Sequence, residues 1–195
     1  MNGAKGEDGK DALDVRHVDA LGSEWTSIRG ATLTDDGAKF GPFADGEASS
    51  AIEFHGLDGL ELSKLEAITY RQKVAVGDKM AVPYFRIFTK DAAGNSHSLI
   101  YSPSTQHGND QPAGEWRTEK LVHGTARYDD DAGERPEEMF GTHMINHAND
   151  VITGVRVQAG NAGDYSAGST SYVSSVRFAL SGQSRMGDVL YTFGG

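Results

Sequence analysis

HMINH, residues 143–147, sets His143 and His147 four apart, the spacing at which two imidazoles on one helical face can share a metal ion. A zinc hydrolase with that spacing places glutamate directly after its first histidine; Met144 stands there, and no third ligand follows by spacing. No metal is therefore assigned. The three aspartates at 129–131 lack the alternating acids ahead of a glycine that a calcium loop uses. Glycoside cleavage asks for two carboxyl groups roughly 5–9.5 Å apart across a sugar. Glu53, Asp58 and Glu61 are close in sequence, but nothing singles out a pair. GQSRM at 182–186 misses the last glycine of a nucleophile elbow, and no glycine-rich turn leads into a long helix that would cradle phosphate. The chain is expected to be no enzyme and to need no cofactor.

Binding is easier to motivate. Sugar rings have apolar faces that stack on aromatic side chains, with polar groups at the rim to fix the hydroxyls. Tyr128 in ARYDDD and Tyr165 in NAGDYSAGS sit in polar stretches where core packing is hard to arrange. With Trp25 they are the candidate carbohydrate-binding residues.

The elements that must position such residues are strands. In AITYRQKVAV, Ile68, Tyr70, Val74 and Val76 alternate with Thr69, Arg71 and Lys73, the period of two that a half-buried strand requires. PYFRIFT alternates in the same way, and DAAGN supplies a turn before SLIY, so 83–101 reads as a hairpin. Further strands are expected at 50–54, 115–121, 151–159, 171–180 and 189–193. One short helix is expected over 136–148, from Pro136 in its first turn, Glu137 and Glu138 near its positive end, and Phe140, Met144 and Ile145 on one side. Many short strands, glycine-rich turns and one inserted helix predict an all-β, antiparallel jelly-roll β-sandwich.

Composition bounds the partners. With 195 residues the chain has enough material for one sandwich-sized domain. A net charge of −10 disfavours nucleic acid, which needs a basic face, and disfavours anionic membrane for the same reason. The absence of cysteine excludes disulfides and thiolate metal sites. No run approaches the ~18 apolar residues of a membrane helix, and the amino terminus has glycine and charge where a signal peptide has an apolar segment.

The order PYFRIFTKDAAGNSHSLIYSP, GEWRT, a short helix, VITGVRVQAGNAG, SYVSSVRF and LYTF resembles a β-sandwich (jelly-roll) module of actinobacteriophage minor tail or fibre proteins and of secreted bacterial proteins. The resemblance spans roughly 38–193, through Leu99 to Pro103, Trp116 to Thr118, Ile152 to Gly160, Tyr172 to Val176 and Tyr191 to Phe193. It implies that Trp116 belongs to the core or a sheet edge. Where that module carries Asp-Asn and Tyr-Asp-Phe, this chain has Ser174-Ser175 and Tyr191-Thr192-Phe193, so a hard cation would lose oxygen ligands and calcium is not assigned.

Ahead of the sandwich, GAKGEDGKD repeats Gly3, Gly6 and Gly9. Glycine at every third position is what the crowded axis of a collagen-like triple helix requires, and a flexible acidic linker is the other reading of the same residues. The expected organisation is a collagen-like, trimerising stub over 1–11, a linker over 12–24 and the sandwich over 25–195. Together these lead to a non-catalytic, homotrimeric virion protein of the phage tail fibre or minor tail type. It would join other virion proteins through its amino terminus and touch host surface glycan. A capsid fibre or decoration protein, a secreted carbohydrate-binding module and a sandwich-fold glycan hydrolase are the alternatives.

Overall fold

A computed structural model describes residues 13–77, 81–103, 112–121, 125–130, 137–139, 147–161, 167–181 and 188–194; for 125–130 and 137–139 it describes the backbone. The stub over 1–11, with Gly3, Gly6 and Gly9, lies outside the described residues.

Two seven-stranded sheets pack face to face as a β-sandwich. In the first sheet, β13 (Thr170–Leu180) pairs along one side with β6 (Leu65–Val76), beyond which lies β9 (Arg117–Lys120). Its other side is shared by two short pairs, β14 (Val189–Phe193) with β1 (Asp14–Val18), and β4 (Gly37–Phe40) with β3 (Thr32–Thr34). The second sheet runs β11 (Glu137–Met139), β10 (Thr125–Asp130), β8 (Ser96–Tyr101), β7 (Tyr84–Lys90), β12 (Val151–Gly160), β5 (Ser49–Phe54) and β2 (Trp25–Ile28). Every named pairing is antiparallel except β1 with β14.

The period of two does the sorting. Along β7, Phe85, Ile87 and Thr89 point inward and are buried, while Tyr84, Arg86 and Phe88 are half-buried on the outer face. Val155, Val157 and Ala159 of β12 and Ile52 and Phe54 of β5 continue the same inner layer. The first sheet answers with Ile68, Tyr70, Val173, Val176 and Phe178. At one end an aromatic cluster joins the sheets. Trp25 packs on Phe54, Phe193 and Tyr191 with ring centroids 4.8, 5.0 and 5.5 Å away, and Phe54 stacks on Phe178 at 5.0 Å.

Two expectations are corrected by these elements. The segment 12–24 is not simply a linker, because Asp14–Val18 is a strand that pairs with β14 over five residues. The helix over 136–148 does not begin as expected: Glu137–Met139 is a strand hydrogen-bonded to β10, and His147 stands in a turn. Residues 140–146 lie outside the described residues. Leu62–Lys64 forms a single 3₁₀ turn.

Candidate functional site

The outer face of the second sheet carries an open depression of about 320 Å³, lined among others by Arg29, Ser49, Arg86, Arg156, Gln158 and Asn161. Four parts of the chain deliver these residues: the turn after β2, then β5, β7 and β12 with the residue that follows it. Register explains why they meet. Arg156 stands opposite Glu53 on one side and Arg86 on the other, and Gln158 stands opposite Ala51 and Tyr84. Side chains directly opposite across neighbouring strands are within contact distance.

Local backbone places the remaining two. Arg29 has φ 54 and is followed by Gly30 at φ 84, the signs of a type I′ turn, which suits Asn-Gly better than Arg-Gly. Gly160 has φ 88, and a Cβ there would lie 2.3 Å from the Ala48 carbonyl oxygen, so only glycine lets β12 end against this loop. Asn161 follows with φ 57, its N–H donating to the same Ala48 oxygen at 2.9 Å. Among the described residues, Arg29 and Asn161 are the non-glycine positions with positive φ, and both line the depression.

Arg29 Nη1 donates to Ser49 Oγ at 3.0 Å, and Arg86 Nη2 donates to Ser98 Oγ at 3.2 Å. Arg156 is tied to Glu53 Oε2 through Nε at 2.6 Å and Nη2 at 2.5 Å, while Glu53 Oε1 lies 3.5 Å from His55 Nε2. His55 Nδ1 in turn lies 3.1 Å from Asp58 Oδ2, so Glu53, His55 and Asp58 form a line beside the depression. The Phe88 ring lies beneath two guanidiniums, Arg156 at 4.8 Å and Arg86 at 5.2 Å. Burial pushes the Tyr84 hydroxyl pKa up, and the positive charges of Arg86, Arg156 and Arg29, with a hydrogen bond from Gln158, pull it back.

The residues singled out from sequence are mostly elsewhere. Trp25 is only 1% exposed at the centre of the aromatic cluster and has no face to offer a sugar, which corrects its assignment to carbohydrate binding. Tyr128 lies within β10, paired with Leu99, and not in a loop; its side chain is outside the described residues. Tyr165 and His143 are outside them too. Trp116 is half-buried under cations, with the Arg71 guanidinium 4.9 Å and the Lys73 ammonium 4.6 Å from its ring. His147 Nδ1 lies 3.1 Å from Asp150 Oδ2, and its ring is 5.6 Å from that of His97. Among the described residues, no group of three His, Asp or Glu side chains has the arrangement of a metal site.

A second polar group lies between the sheets. Glu119, 3% exposed, accepts from Tyr101 Oη and Gln72 Nε2, each at 3.3 Å. Burial, followed by the Glu119 charge, pushes the Tyr101 hydroxyl pKa upward. This group ties β9 to β8 across the interior and opens onto no described depression.

No protein-family model and no curated protein matches the chain. Two solved structures share its general layout. One is "Apo Crh5 transglycosylase", at 16% identity over 85% of this chain and 81% of that one, TM-score 0.47. The other is "Crh5 transglycosylase in complex with NAG", at 14% identity over 82% and 80%, TM-score 0.42. The expectation that the chain is no enzyme is withdrawn, because both structures matched are titled transglycosylases.

Proposed function

We propose that the protein binds carbohydrate on the outer face of its second sheet. The observation that carries this is the convergence of Arg29, Ser49, Arg86, Arg156, Gln158 and Asn161 on one open depression. Its volume is near the lower end of the ~300–1,000 Å³ range of small-ligand sites. Sugar hydroxyls demand many directional donors and acceptors at once, which guanidinium, amide and hydroxyl groups supply.

Affinity electrophoresis through gels containing polysaccharides, beside a printed glycan array, tests this reading. The wild-type chain should be retained by at least one glycan. Gln158→Ala and Asn161→Gly should weaken that retention about tenfold or more, with denaturation midpoints close to wild type. Asn161→Gly keeps the left-handed backbone, so its loss of binding would report the amide and not the turn. Equal retention of both variants, or no retention of the wild type by any glycan, overturns the proposal.

In the fibre or adhesin setting suggested by the amino-terminal triplets, three such faces would be presented together, multiplying weak single-site binding. Light scattering separates this from a secreted monomeric module: three chain masses support the spike, and one chain mass rules it out.

A further inference from the structure

We infer that the sugar held in this depression is anionic, bearing a carboxylate or sulfate, and that Arg29 is the residue that selects it. The inference rests on the carbohydrate-binding reading above and deepens it. Two features that are locally unfavourable meet at this one place. Arg29 occupies a left-handed position of a tight turn where asparagine or glycine would sit with less strain. Asn161 is the second non-glycine residue of that kind among the described residues. Arg86 and Arg156 stand directly opposite each other on β7 and β12 beside these two turns, Arg156 held by Glu53. Breaches of local preference that coincide in space mark sites kept for binding and not for folding.

Charge gives the sign of the ligand. The chain as a whole carries −10, so its long-range field repels anions, and an anion can be held only where cations are gathered. Arg156 is neutralised by Glu53, whereas Arg29 donates to a neutral hydroxyl, Ser49 Oγ, and meets no carboxylate among the described residues. A guanidinium presents a planar fork of donors that matches the paired oxygens of a carboxylate or sulfate. Neutral hydroxyls would be served as well by asparagine, without the strain. Tyr84 lies close enough to all three arginines that their charges pull its hydroxyl pKa back from the rise that burial gives it.

Matched polymers that differ only in charge provide the test: polygalacturonate against its fully methyl-esterified form, and dextran sulfate against dextran, by affinity electrophoresis at low and high salt. The wild-type chain should bind one or both charged members at least tenfold more tightly than the neutral partner, and lose that margin as salt screens it. Preference for polygalacturonate alone assigns a carboxylated sugar, preference for dextran sulfate alone a sulfated one, and both together charge itself. Arg29→Asn should abolish the margin while raising the denaturation midpoint, because asparagine suits the turn. Arg29→Lys should retain part of the margin. Equal binding of charged and neutral members, or an undiminished margin in Arg29→Asn, overturns the anionic assignment and leaves carbohydrate binding in place. Failure of the wild type on all four polymers and on the array overturns the carbohydrate reading itself.

Discussion

Arg29 shows how one residue can serve the site against the fold. Its φ of 54 is a conformation in which an L side chain crowds its own backbone. Substitution by asparagine relieves about 0.5–1 kcal/mol of that strain, and chemical denaturation should show a stability gain of this size. Trp25 is the opposite case, a residue spent wholly on folding. Enclosed by Phe54, Phe178, Tyr191 and Phe193, it should cost about 3–5 kcal/mol when replaced by alanine, measured by the same denaturation. Sequence alone could not place it. Ser23, Glu24 and Thr26 surround it with polar neighbours, and inward orientation is decided by the pairing of β2 with β5, a contact between residues far apart in the chain. The arginines were equally hidden: Arg86 and Arg156 are 70 positions apart and meet only through strand register.

At the level of elements, what alternation dictates is what sequence reveals. YFRIFT, the DAAGN turn and SLIY are a hairpin, as their period and turn residues require. Asp91 closes that turn by accepting from the Asn95 side chain and backbone N–H, each at 2.8 Å. These donors, with His97 adding less, lower its carboxyl pKa from 3.8 to about 2. Because the folded-state pKa is depressed, the stabilisation is complete above about pH 4 and is lost as pH falls through about 2. Acid titrations of wild type and Asp91→Ala should therefore run apart at neutral pH and converge near pH 2. A chemical-shift titration that puts Asp91 near its ordinary value would refute this. The strands that escaped notice have no such signature. TARYDD offers only Ala126 and Tyr128 among charged and polar residues, and Pro136-Glu137-Glu138 carries the marks of a helix start, yet β10 and β11 form because β8 offers a free edge. DVRHV is short and its apolar residues are few, so only the exposed flank of β14 makes it a strand.

The molecule as a whole divides labour between its two sheet surfaces. The inner faces are sealed by aromatic and aliphatic side chains, and the outer face of the second sheet gathers cations on a chain that is otherwise acidic. Overall charge is legible at once from composition; where the positive side chains gather is not, since topology alone collects them. The first and last strands also lie alongside each other, pointing the same way, with Asp14 beside Val189 and Val18 beside Phe193. A tension drawing the two ends of the chain apart would act along these strands in opposite directions, loading the whole five-residue ladder in shear instead of peeling it rung by rung. Pulled as single molecules between their ends, these domains should rupture in one high-force event, and a variant with proline at Arg16 should yield early. Parallel closure of β1 on β14 thus makes resistance to a pull along these two strands a property of the ladder that joins them.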